Sequence, residues 1–161
     1  MSGPRPLAVI DIDGVLADVR HRLVHVTTTP KAWGAFFAAA PDDPLLPEGL
    51  AVARELAREH EIVYLSGRPE RCRKDTLEWF ARYDLPVGEL LLRRPGDYRP
   101  ARVTKVETLE LLSQRAPVDV LVDDDDLVCA AAREAGYAVF HADWMADQAA
   151  LIEAQEVDGA T

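Results

Sequence analysis

The chain has 161 residues, with 18 Lys and Arg against 28 Asp and Glu and a formal net charge of −10. That length predicts one domain over residues 1–161, large enough to bury a core without disulfides or a structural metal, and 48% hydrophobic residues exclude a disordered chain. The acidic balance argues against a whole-surface nucleic-acid binder, and no apolar run approaches the ~20 residues of a membrane span.

The first residues, Met1–Pro6, lack the apolar core of a signal peptide, so a cytoplasmic location is expected. Cys72 and Cys129 are far apart and have no metal-ligand spacing around them. In chain order, five short apolar runs read as strands: Leu7–Ile12, Glu61–Leu65, Leu90–Leu92, Val118–Val122 and Tyr137–Phe140. Between them, Gly49–His60, Glu70–Tyr83, Lys105–Gln114 and Leu127–Ala135 carry helical spacing, the last stopped by Gly136. Strands alternating with helices predict an α/β doubly wound, Rossmann-like parallel sheet of about five strands, with helices on both faces. The first connection is too long for one helix. Residues 19–47, with Trp33, Phe36 and Phe37 at helical spacing, predict a small helical insertion over the sheet's edge. Residues 149–161 read as a helix and tail with no assigned role.

In such sheets ligands bind beyond the carboxyl ends of the strands. Asp11-Ile12-Asp13-Gly14 places two carboxylates on one side of a strand end, and clustered carboxylates call for a neutralising cation. Four aspartates, Asp123–Asp126, follow another strand; Asp123 and Asp124 suit a metal, Asp125 and Asp126 a helix cap. A site of oxygen ligands alone favours Mg²⁺. Ser66-Gly67-Arg68 offers a hydroxyl and a forked donor suited to a phosphate at a helix N-terminus. Lys105, at the start of a predicted helix, is at the wrong end for the helix dipole and needs another reason to be there. Taken singly, each motif also reads as an ordinary turn or solvated charge.

Together, DxDG after the first strand, SGR after the second, a lysine before a helix and paired aspartates after the fourth resemble the haloacid dehalogenase (HAD) superfamily of phosphotransferases over about residues 7–140. The resemblance implies Asp11 as nucleophile, Asp13 as general acid/base, Ser66 as phosphate-binding hydroxyl, Lys105 as the cation, and an Mg²⁺ site of Asp11, Asp13 (through its backbone carbonyl), Asp123 and Asp124. Leu90–Glu107 is similar to the phosphatase domain of bacteriophage-type polynucleotide kinase-phosphatase, which also carries SGR and an arginine at the spacing of Arg22. Ala101-Arg102 stand where that loop is acidic. The similarity implies Arg22 and Arg68 as catalytic residues and Ser66, Gly67, Arg68, Arg22, Asp97 and Arg99 as substrate contacts. No G-x-x-x-x-G-K-[ST] is present to resemble the kinase half; the resemblance would make this a stand-alone phosphatase module, and no kinase or ligase partner can be read from the sequence.

The charge is uneven. Ser66–Lys105 carries ten basic and six acidic residues, a local +4 against −14 for the remainder. This favours a phosphomonoesterase for a polynucleotide or nucleotide 3′-phosphate. The alternatives are a phosphatase of a small metabolite, such as a 5′-nucleotide or sugar phosphate, and a non-catalytic binding protein that keeps the fold.

Overall fold

The computed structural model describes residues 3–146 and 149–161. β1 (Leu7–Ile10) is fully buried and sends Ala8 and Ile10 into one apolar cluster and Leu7 and Val9 into another. A strand apolar on both faces belongs in the middle of a parallel sheet covered on both sides. β1 indeed lies between β2 (Glu61–Pro69) and β4 (Val118–Asp123), with β3 (Gly88–Arg93) and β5 (Val139–His141) at the edges, all parallel in the order β3-β2-β1-β4-β5.

Between β1 and β2 lie three helices, α1 (Val24–Thr27), α2 (Trp33–Ala38) and α3 (Pro47–Ala57). α4 (Arg73–Arg82) follows β2, α5 (Ala101–Ser113) follows β3 and α6 (Asp126–Glu134) follows β4. α7 (Ala149–Glu156) comes last. α3 and α4 bring Ala53, Trp79 and Phe80 to the first cluster; α5 and α6 bring Leu109, Leu112, Val128 and Ala132 to the second. The doubly wound expectation therefore holds. No helix among the described residues is long and apolar enough to cross a membrane.

Three local readings change. The Ser66-Gly67-Arg68 motif is not at a helix N-terminus: β2 runs on through a register shift to Pro69, which pairs with Arg93, and only a short 3₁₀ turn, Glu70–Cys72, precedes α4. α5 begins at Ala101, so Lys105 sits in its second turn rather than at its start. The 19–47 insertion lies over the ends of β1 and β2 instead of the sheet's edge, because Arg22 and Asp43 reach Asp13 and Arg68 there. Within it, Phe36 and Phe37 are buried, with Trp33 packed on both rings.

Candidate active site

Parallel pairing brings the ends of β1 and β4 side by side. The Asp11 amide continues the ladder by donating to the Val122 carbonyl at 2.9 Å. This sets Asp11 beside Asp123 and Asp124, and one carboxylate oxygen from each lies within 4.8 Å of the others. Gly14 turns the chain with φ +82°, and a Cβ there would come within 2.1 Å of Asp124 Oδ2, so the close approach requires glycine.

Lys105 is the cation of this group. It lies on the buried face of α5 with Leu109 and Leu112, one and two turns away, and reaches Asp123 Oδ2 at 2.6 Å and Asp11 Oδ1 at 3.2 Å. Burial opposes its charge, but Asp11 and Asp123 outweigh burial and raise its pKa. With all three carboxylates ionised, one ammonium leaves two negative charges without a counter-charge. Asp11 Oδ2 and both oxygens of Asp124 are buried without a hydrogen-bond partner. Burial, followed by Asp123, pushes the Asp11 carboxyl up to about 7; burial and Asp11 push Asp124 well above the usual carboxylate range. Hard oxygen donors, orphaned lone pairs and a deficit of two charges fit a divalent cation such as Mg²⁺.

Asp125 belongs to α6. It is the N-cap, accepting from the Leu127 amide at 2.9 Å and the Val128 amide at 3.4 Å. Burial and the neighbouring Glu156 push it up to about 8. Asp126, the first helical residue, is exposed.

Asp13 stands apart from the carboxylate triad. Its Oδ1 accepts from Arg68 Nη2 at 2.6 Å, Arg68 Nε at 2.9 Å and Arg22 Nη2 at 3.1 Å. Both arginines also donate to Asp43, Arg22 at 2.8 and 2.9 Å and Arg68 at 3.0 Å. Arg68 reaches Thr76 Oγ1, and the Arg22 guanidinium lies 4.3 Å over the Phe36 ring. Two carboxylates thus meet two guanidiniums, all buried. Burial would raise the Asp13 pKa, but Arg68 and then Arg22 overcome it and hold the carboxyl at about 2. An acid role requires a proton on Asp13, so the free site has the opposite poise: Asp13 is the ionised member and Asp11 the one pushed toward neutrality.

Ser66 and Gly67 lie between these groups and the loop after β3. Ser66 is buried, its Oγ accepting from the Arg68 amide at 3.1 Å. A cleft of about 440 Å³ joins Ser66, Gly67 and Lys105 to Asp97, Tyr98 and Arg99. Asp97 and Arg99 pair with each other at 2.8 Å, and Arg99 also holds Glu107. The hydrogen bonds from Arg99 keep Asp97 at about 2. Neither touches the carboxylate groups directly; both line the cleft wall.

Two contributors, Asp43 and Thr161, escaped the sequence reading, and a third, Arg93, was read only as one of the ten basic residues of Ser66–Lys105 that flank the strand ends. Asp43 sits in the proline-rich Pro41–Pro47 stretch, where a loop carboxylate carries no signal, yet it holds both arginines. Arg93 looks like one more surface cation but is buried, and it donates to the carbonyls of Gly67, Asp97, Arg99 and Thr161. Thr161, the most distant in sequence, donates its hydroxyl to Asp13 Oδ2 at 3.3 Å.

The family described as "Polynucleotide kinase PNKP phosphatase domain" matches residues 6–144. Solved structures share the fold. One is the Pnkp1/Rnl/Hen1 complex, at 22% identity and TM-score 0.72 over 91% of this chain and 49% of the matched one; the chain spans about half its length. Another is a haloacid dehalogenase-like hydrolase from Streptococcus pneumoniae, at 14% identity and TM-score 0.60 over 94% and 91%. A HAD-family enzyme from Bacteroides thetaiotaomicron, in complex with magnesium and inorganic phosphate, matches at 12% identity and TM-score 0.54 over 91% and 98%. No curated protein sequence matches the chain.

Proposed function

Because the chain belongs to the polynucleotide kinase phosphatase-domain family of HAD-type phosphoric monoester hydrolases, we propose that it removes a terminal phosphate, preferably a 3′-phosphate, from RNA or DNA. The observation that carries the chemistry is the split between Asp11, in a carboxylate group two charges short of balance, and Asp13, in a balanced arginine pocket.

Asp11, Asp123 and Asp124, with the Asp13 backbone carbonyl, would hold Mg²⁺, whose positive charge would let an anionic nucleophile approach an anionic ester. Asp11 attacks phosphorus in line and forms an aspartyl-phosphate. Ser66 and Lys105 donate to the phosphoryl oxygens. Asp13 protonates the departing ribose oxygen, then takes a proton from the water that hydrolyses the intermediate. A phosphate dianion beside Asp13 raises its pKa, and every donor that Arg22 or Arg68 transfers to the phosphate is one fewer holding Asp13 ionised. Arg22 Nη1, buried without a partner, is the donor free to turn first.

The substrate class rests on the groove beyond the catalytic cleft. A second cavity of about 450 Å³ shares residues Arg93–Tyr98 with the first and is lined by Trp33, Phe37 and Arg71. Tyr98 is 71% exposed between the two, and the segment around it carries the local positive charge. Cations with an accessible aromatic suit a single-stranded end, with base stacking and backbone contact. The likeness to Pnkp1, solved within an RNA repair complex with Rnl and Hen1, supports an RNA end and action beside partner proteins.

The test compares 3′-phosphorylated oligonucleotides, 3′-nucleotides, 5′-nucleotides and sugar phosphates with Mg²⁺, using Asp11→Asn as the control. The expected order puts the oligonucleotide first. Preference for a sugar phosphate or 5′-nucleotide would move the protein to small-metabolite chemistry.

A further inference from the structure

Residues beyond 144 lie outside the region that matches the family, yet they return to the catalytic cleft. α7 packs Leu151 into the core, and the chain then folds back, the Ala160 amide donating to the Ala154 carbonyl at 3.0 Å. Thr161 is 2% exposed. Its hydroxyl covers Asp13 Oδ2, the oxygen that neither Arg22 nor Arg68 uses. Its carbonyl accepts from Arg93 Nη2 at 3.2 Å. Its backbone lies so close over Gly67 that a Cβ there would come within 2.0 Å of the Thr161 carbonyl carbon.

We propose that Gly159–Thr161 is an internal occupant of the leaving-group side of the cleft, which a phosphoester must displace before it can reach Asp11 and Asp13. The inference rests on the phosphatase reading of that cleft. The placement is built, not incidental. Asp158 pairs with Lys31 of the insertion at 2.6 Å, and Glu156 holds Arg102 at 2.6 Å and the Arg102 amide at 3.1 Å. Gly159 takes φ +58°, and a Cβ there would meet the Tyr98 carbonyl at 2.0 Å, so the tail runs between the exposed Tyr98 loop and the catalytic residues. Asp158 and Ala160 also line the second cavity, so the tail follows the route proposed for the substrate. An occupant that must leave first lowers apparent affinity by the fraction of open molecules.

Two variants and one exchange measurement decide this. A chain lacking Gly159–Thr161, and separately Gly159→Val, which cannot pass Tyr98, should raise kcat/KM for a 3′-phosphorylated oligonucleotide by about tenfold, the ratio for a site closed nine-tenths of the time. In the unaltered chain, Mg²⁺ with inorganic phosphate should speed amide hydrogen exchange at Ala160 and Thr161 while leaving that of β1 unchanged. Active variants with unchanged or lower kcat/KM would overturn the occupant and leave the phosphatase reading standing. Absence of phosphate release from every chain and ester would remove the phosphatase reading; the exchange result then decides alone, and tail exchange unmoved by Mg²⁺ and phosphate overturns the occupant.

Discussion

Two buried charge groups lie side by side at the carboxyl ends of β1, β2 and β4, and they are balanced differently. Asp13 and Asp43 face Arg22 and Arg68, two charges against two, and each carboxylate is held by several donors. Asp11, Asp123 and Asp124 face Lys105 alone, and three of their oxygens have no partner. The balanced group can be a permanent part of the fold. The unbalanced group has the chemistry of a cation-binding site, because carboxylates left unpaired in a low-dielectric interior are costly until something positive arrives. DxDG therefore sends its two aspartates, two residues apart, into opposite electrostatic surroundings.

The largest expected effect falls on the unbalanced group. Asp11→Asn should lower phosphate release by about four orders of magnitude or more, as loss of a nucleophile does. The same variant should melt higher than the parent in EDTA, since one of three crowded carboxylates is gone; a lower melting temperature would show that the crowding costs the fold nothing. Lys105→Met should destabilise the metal-free protein by about 3–5 kcal/mol, the usual result of stranding buried charges. Added Mg²⁺ should recover part of that loss in thermal unfolding.

The balanced group is tested through Asp43, which the proposed chemistry leaves untouched. Asp43→Asn keeps the shape but frees Arg22 and Arg68 to favour Asp13 alone. Turnover should fall by about 10–100-fold and the pH–rate profile should shift, as Asp13 becomes harder to protonate. Unchanged turnover with lowered stability would make the pocket purely structural.

The smallest effect separates the two groups by pH. The folded Asp11 carboxyl sits at about 7, above its unfolded value, so its favourable contribution is complete below about pH 4 and is lost as pH rises through 7. Asp13 at about 2 has the opposite sign: its contribution is present above about pH 4 and is lost as pH falls through 2. The metal-free protein should therefore lose stability between about pH 4 and 7, and Mg²⁺ should stabilise it more at pH 7.5 than at pH 5.5. Equal Mg²⁺ effects at the two pH values would refute the charge-deficit account.

Much of this was legible from the chain because parallel α/β sheets link sequence pattern to place. Apolar runs ending in Asp11, Ser66 and Asp123 gave strands whose carboxyl ends had to converge. Lys105 shares a buried helical stripe with Leu109 and Leu112, a pattern visible once the helix begins at Ala101. The uses of Arg22 and Arg68 were not legible. A guanidinium fits phosphate and carboxylate equally well, and its choice depended on Asp43, brought in by an irregular loop. Thr161 was farther still from prediction, since a contact 148 residues from Asp13 leaves no periodic trace.

The position of β1 in the sheet has a consequence for how the enzyme fails. Asp11, Ser66 and Asp123 all hang from strands paired on both sides, while the edge strands β3 and β5 supply none of the carboxylate group. Edges open first in partial unfolding, and interior strands part only with the whole domain. Fraying of β5 would nonetheless release His141 from its pairing with Asp123 and from the Asp124 carbonyl at 3.1 Å, so heat inactivation should begin below the global melting temperature.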